Sequence, residues 1–331
     1  MKTKEKIVKK LKEKAQEPDA PMGDTSVGAT SAGWHSIESL WRCAKEYQYE
    51  KVRGIRNPEA ELPDPFAIGQ MMHVGKGRWF SKRFPTDEAV LETIRDEMMD
   101  YATKSKLPIS IDAQRRALRY FTEYVEFWRI RPKPKVVAAE YDLGPSPVKA
   151  GDPFFLHRTA RLDDVSRYAE AGGALCIGES KTTSGTLNDC IKQYKLHGQI
   201  AMQVALWKLA PQGEAMHGPV AGVMLDVIVK GSGTEKSKFG RQLIEVPDRV
   251  VNWYVENLRN QLRVAASIDW NSVVPRNITA CTRMVGRGRM ACPYTEMCVF
   301  GRSASAKYVM RDGSSLVTWK PSQYESVPPW D

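Results

Sequence analysis

The chain has 331 residues, 42% hydrophobic and 27% charged, enough to bury a full core as one large domain or two smaller ones. No uninterrupted apolar run approaches a membrane span, and six cysteines in a chain this long do not form a disulfide framework, so the composition speaks against a membrane protein and a stapled secreted domain. Lys+Arg 49 against Asp+Glu 39 leaves a net charge of +10, which favours a polyanionic partner such as nucleic acid. The basic N-terminus lacks the apolar centre of a secretory signal, and a cytoplasmic location is the expectation.

Residues 4–17 have helical charge spacing with a thin stripe of Ile7 and Leu11, expected as a solvated basic helix with DNA contact as the alternative. Residues 18–34 are rich in Pro, Gly and Ser and read as a linker, so residues 1–34 form an arm ahead of a domain expected over 35–302. Ser36 reads as the N-cap of a helix running from Ile37 to Tyr49. Cys43 on that helix, taken alone, is a buried small hydrophobe.

A helix is expected over 67–80 despite its glycines, with His73 four residues beyond Gly69 on the same face. Two more helices follow over 86–104 and 111–129, then a strand ending in V-V-A-A-E-Y-D-L. Glu140 on it is either a further site carboxylate or a solvent-facing strand residue.

Residues 160–185 form the chemical centre: a strand with Asp163, a Gly-Gly turn, and an apolar strand ending in Glu179-Ser180-Lys181. Glu179 and Lys181 share one face while Ser180 points away, and hairpin pairing brings Asp163 toward Glu179. Paired carboxylates suit a hard divalent cation such as Mg²⁺, and a nearby lysine can orient a water or meet a phosphate. This is chemistry for cutting phosphodiesters.

One long amphipathic helix is expected over 187–210, with Gln199, Gln203 and Trp207 stepping along one face. Strands over 221–229 and 242–246 extend the sheet, joined by a basic Gly-rich loop expected as a flexible surface hairpin, with DNA contact as the alternative. A helix over 250–268 precedes a loop holding Cys281, Cys292 and Cys298. Three thiolates on such a loop fit ligation of an iron–sulfur cluster or zinc, one ligand short of four. Cys176 lies in the apolar strand and Cys190 on the helix beyond, whereas Cys43 would staple the N-terminal helix to the C-terminal end. The polar tail over 303–331 carries no motif.

The ordered pattern resembles the PD-(D/E)XK nuclease superfamily, and within it the RecB-like branch containing the AddB nuclease domain and iron–sulfur-stapled exonucleases. Gly69 and His73 match its G-x-x-x-H, A-R-L-D its metal-binding Asp, Glu179-Ser180-Lys181 its (D/E)-x-K, and Gln203 with Trp207 its Q-x-x-x-Y, Trp replacing Tyr. Asp164 is an alternative ligand to Asp163, which the strand alternation and the family register favour. The resemblance implies an α/β fold, a central mixed sheet flanked by helices with a restriction-endonuclease-like core, an N-terminal helical region and a C-terminal cysteine-ligated segment. It implies Mg²⁺ or Mn²⁺ at His73, Asp163, Glu179 and the Ser180 carbonyl, Lys181 positioning or deprotonating water, and Gln203 contacting substrate or the lysine. It also implies a [4Fe–4S] cluster, with zinc as the alternative, on Cys43, Cys281, Cys292 and Cys298. The function so implied is a DNA exonuclease of processing, recombination or repair, with a phage or mobile element as its source by analogy. A catalytically inactive DNA-binding or assembly protein, or a zinc-stapled DNA-binding protein, is the alternative. No G-x-x-x-x-G-K-[ST] motif is present, so any unwinding would come from elsewhere, with a helicase or recombination protein as the expected partner.

Overall fold

The computed structural model describes residues 34–52, 54–56, 63–105, 108–143, 160–195, 197–231, 234–268, 274, 277, 281–285, 288–300, 304 and 307–310. The basic arm, most of the linker and residues 311–331 lie outside the described residues. Among the described residues, no helix is long and apolar enough to cross a membrane.

The N-terminal helix departs from expectation. It begins by Trp34, ahead of the expected Ser36 cap, and α1 (Trp34–Arg42) stops at Cys43, whose φ of −160° and ψ of 115° are extended. The chain resumes as α2 (Ala44–Tyr47) and a π-helical turn over Gln48–Val52, then β1 (Ile55–Arg56).

Three helices form one layer: α3 (Asp64–Ser81), α4 (Glu88–Lys104) and α5 (Ile111–Arg129). The side chains of Asp87 and Ser110 cap α4 and α5 by accepting the Ala89 and Ala113 N–H groups. On α5, Ala113, Ala117, Phe121, Tyr124 and Trp128 recur at helical spacing and are buried. Interior glycines cost α3 about 1 kcal/mol each relative to Ala. Gly75 is nonetheless required, because a Cβ there would stand 2.6 Å from Met98 Sδ and 2.9 Å from Phe121. Its absence lets the three helices close on one another.

A five-stranded sheet follows: β2 (Lys135–Leu143), β3 (Ala160–Arg167), β4 (Leu175–Thr183), β5 (Val223–Val229) and β6 (Lys238–Ile244). Its spatial order is β2-β3-β4-β5-β6, antiparallel except for the parallel β4–β5 pair. Gly172 and Gly173, with φ of 64° and 81°, turn β3 back into β4. The predicted mixed α/β sheet is present.

The expected single helix over 187–210 is two: α6 (Leu187–Tyr194) and α7 (Gly198–Leu209). His197, in extended conformation, caps α7 through its ring nitrogen, and a glycine opens the helix, so the local chemistry favours a fresh start. The short α8 (Glu214–His217) leads into β5, and α9 (Asp248–Ser267) packs with α7 on the sheet face opposite α3–α5. Along β5, Val223, Leu225 and Val227 face α7, while Ile228 meets the three-helix layer.

A C-terminal segment completes the fold with the hairpin β7 (Thr282–Val285) and β8 (Gly288–Ala291), α10 (Thr295–Phe300) and β9 (Val309–Met310). β9 pairs with β1, and Tyr308 packs with Tyr49, Ile55 and Tyr294, so part of the expected tail closes the chain onto its N-terminal region.

Candidate active site

Three carboxylates lie in a row across the sheet. Asp164 pairs with Gly178, which sets Asp163 opposite Glu179; Ala139 pairs with Asp164 and Tyr141 with Leu162, which sets Glu140 opposite Asp163 on its other side. α3 crosses this row and supplies His73, whose Nδ1 is 3.0 Å from Asp163 Oδ1. The Ser180 N–H donates to the other Asp163 oxygen at 2.6 Å.

Glu140 is not the solvent-facing residue of the simpler expectation: it is buried, with a φ of 48° that a non-glycine residue adopts at a cost of about 1–3 kcal/mol. Gly77 on α3 makes room for it, since a Cβ there would stand 2.9 Å from Glu140 Cγ. The matched Gly69 is less demanding, with Thr182 Oγ1 at an ordinary 3.6 Å from the same construction.

Electrostatics separate the carboxyls. Burial, reinforced by the neighbouring Asp163 charge, pushes the Glu140 carboxyl up to about 8. Burial works to raise Asp163 too, but His73, Lys181 and Lys76 outweigh it and hold that carboxyl at about 2. His73 rises above its ordinary value because the Asp163 charge outweighs its desolvation. Among the described residues, His73, Glu140 and Asp163 form the one His/Cys/Asp/Glu group whose ligand atoms all lie within 4.8 Å of one another. Glu140 Oε1 is buried without a hydrogen-bond partner among the described residues. A buried acceptor with no donor, beside a second carboxylate and an imidazole, fits a hard divalent cation.

Glu179 lies outside that group, and both its oxygens have partners. Lys181 Nζ and Gln199 Nε2 reach Oε1, the latter at 2.8 Å, and Gln203 Nε2 reaches Oε2. Lys181 also donates to Gln199 Oε1 at 3.1 Å, and its ion pair with Glu179 overcomes burial to raise its pKa. The glutamine stripe is therefore a bracket for the E-S-K strand end. Trp207 is not its third member: it is fully buried, donates to the Gly218 carbonyl at 3.1 Å and stacks on His217.

Asp164 is removed from the metal group, as strand alternation requires. It turns to the opposite face, where Tyr168 OH donates at 2.7 Å and burial raises the carboxyl to about 6. That face holds residues which the motifs did not single out. Lys76, buried and one turn past His73, donates to Asp226 Oδ2 at 2.9 Å and to Ser180 Oγ. Tyr124 donates to the same Asp226 oxygen, and Arg241 Nε lies 3.3 Å from it. Burial alone would raise Asp226, but Lys76 and Arg241 hold it below its ordinary value. A lone lysine among Val74, Gly75, Gly77, Trp79 and Phe80 was the available signal.

The cysteines gather where the chain ends meet. Cys43 Sγ accepts the Asn277 N–H at 3.5 Å, Asn277 Nδ2 donates to the Arg42 carbonyl at 2.8 Å, and Cys281 Sγ is 4.0 Å from Asn277 O. The Cys292 N–H donates to the Cys281 carbonyl at 2.7 Å, and Cys298 packs beside Cys292. Cys176 is fully buried with its thiol pushed up to about 11, and Cys190 sits in the core beneath α7, so neither joins them.

A family model of the PD-(D/E)XK nuclease superfamily matches residues 34–298. The five-stranded mixed sheet with helices on both faces is consistent with the restriction-endonuclease-like core of that family. No curated protein matches the chain.

Proposed function

Since the chain belongs to the PD-(D/E)XK nuclease superfamily, we propose that it is a Mg²⁺- or Mn²⁺-dependent deoxyribonuclease acting through the carboxylate row Glu140, Asp163 and Glu179. The observation that carries this reading is the His73–Glu140–Asp163 group with its orphaned Glu140 oxygen, next to a lysine on the adjoining strand. A divalent ion bound there supplies Lewis-acid activation of water and neutralises charge on the phosphate. His73, Glu140 and Asp163 would hold it, with the Ser180 carbonyl and Glu179 as further ligands by resemblance.

The protein's own groups do the rest. The Ser180 N–H and His73 fix the Asp163 carboxylate, while Gln199 and Gln203 fix Glu179. Lys181, paired with Glu179, carries its positive charge to the edge of the row, where it can hold a water or a phosphate oxygen. By the RecB-like resemblance the activity is exonucleolytic on DNA ends, in recombination or repair.

Cys43, Cys281, Cys292 and Cys298 are proposed to bind a [4Fe–4S] cluster that staples the chain ends together. What supports a shared centre is that Cys43 Sγ accepts the Asn277 N–H, Cys281 Sγ lies 4.0 Å from Asn277 O, and the Cys292 N–H donates to the Cys281 carbonyl; zinc is the alternative to the cluster.

The test is incubation of end-labelled single- and double-stranded DNA with Mg²⁺, Mn²⁺ or chelator. Metal-dependent cleavage is expected from the wild type and none from Asp163→Asn, assayed well below the melting temperature of that variant. Equal cleavage by a clean preparation of that variant would overturn the assignment.

A further inference from the structure

The connection between β5 and β6 is not the loose surface hairpin its composition implies. Arg119 Nη2 and Tyr120 OH on α5 both donate to the Gly231 carbonyl, at 3.1 and 3.0 Å, and Glu123 accepts the Ser237 N–H at 2.9 Å. Gly231 sits in a turn so tight that a Cβ would stand 2.1 Å from the Glu235 carbonyl oxygen. The Lys230 N–H donates to the Thr183 carbonyl at 2.8 Å, tying the hairpin to the end of β4 as well.

Between this fixed hairpin and the first turns of α5 lies a cavity of about 940 Å³. Six cations line it: Arg115, Arg116 and Arg119 from α5, and Lys230, Lys236 and Lys238 from the hairpin side. Three acids share the wall, Asp64, Asp112 and Glu235, and Asp64 is already committed to Arg116 and Ser110. Among the described residues, Arg115, Lys230, Lys236 and Lys238 enter no ion pair. Burial, and after it the nearby Arg116 charge, lower the Lys230 pKa. A solvated surface intersperses both signs; a concave wall with surplus cations on two mutually bolted elements is built for an anion.

The cavity is also next to the carboxylate row. Its floor includes Ile68, five residues before His73 on α3 and therefore about 7.5 Å along the axis. Ser184 on its wall lies three residues past Lys181, about 10 Å along an extended strand. One or two nucleotides span such distances.

We propose that this cavity binds the phosphate backbone of the DNA strand flanking the scissile bond, independently of sequence. The identity of the ligand rests on the nuclease reading above; the excess of cations does not.

The test compares Arg115→Gln/Lys236→Gln with Arg129→Gln/Lys133→Gln, a pair with the same charge loss at the far end of α5. Binding of a fluorescent single-stranded and a duplex oligonucleotide is read by anisotropy in chelator, so that no cleavage is needed. Hydrolysis of a small nitrophenyl phosphodiester with Mn²⁺ is read separately. The cavity pair should weaken DNA binding about tenfold or more at low salt. It should also flatten the slope of log K against log salt by about 1.8 on duplex, 0.9 for each lost phosphate contact. The far pair should bind like wild type, and both pairs should hydrolyse the small diester as wild type does. Wild-type binding by the cavity pair, or equal weakening in both pairs, overturns the proposal. A wild type that cleaves no diester, yet binds DNA through these residues, would instead refute the nuclease reading and leave the cavity assignment standing.

Discussion

Replacing Lys76 by methionine isolates the contribution of the buried network behind the carboxylate row. Methionine keeps the length and apolar stem of the side chain but removes the charge that meets Asp226 Oδ2 at 2.9 Å and Ser180 Oγ. Hydrogen bonds to charged groups contribute about 1.5–3 kcal/mol, and breaking a buried ion pair costs about 3–5 kcal/mol. Asp226 keeps Arg241 at 3.3 Å and the Tyr124 hydroxyl, so the lower end applies and the loss should be about 3 kcal/mol. For a domain of this size that is a fall in melting temperature of about 6–12 °C. The measurement is urea unfolding of Lys76→Met, Asp226→Asn and the double variant, with coupling of about 0.5–3 kcal/mol expected between the two sites. Lys76 and Arg241 hold the Asp226 carboxyl below its ordinary 3.8, so the stabilisation it brings is present above that pH and fades as acid protonates it. The gap between wild type and Lys76→Met should therefore narrow on acidification below about pH 4. Additive single-variant costs, or a gap that widens in acid, would refute the reasoning.

Gly77→Ala places a methyl 2.9 Å from Glu140 Cγ, so Mn²⁺ binding measured by calorimetry should weaken at least tenfold while melting shifts by no more than about 2 kcal/mol equivalent; unchanged affinity would show that Glu140 is not held against α3. Glu140 keeps its proton up to about 8, above its ordinary 4.5, and a metal must displace that proton. Mn²⁺ affinity should thus rise with pH, about tenfold per unit between pH 6 and 8, and a flat profile would remove Glu140 from the ligand set. Cys292→Ser should lower both iron content and thermal stability, because the binding free energy of a structural metal centre is part of the folding free energy; an iron-free wild type, or a variant as stable as wild type, would contradict the staple.

Much of the fold was legible because it rests on local rules. The apolar spacing of α5, the Gly-Gly turn between β3 and β4 and the E-S-K ending of β4 follow from helical period, left-handed glycine geometry and strand alternation, which need no distant partner. The same alternation separated Asp163 from Asp164. Local signals failed at the extended Cys43 that breaks the first helix, and where a competing local preference intervened, at the His197 cap that divides the expected long helix in two.

Other features were fixed only by tertiary structure. Glu140 enters the row because β2 pairs in one particular register with β3 and because Gly77 leaves a gap on a helix far away in the sequence. Lys76 finds Asp226 across 150 residues, and Glu179 meets two glutamines from α7. Residue types and spacing determine which groups can do metal chemistry; a buried charge acquires its partner, and hence its protonation and role, only when separate elements pack around it.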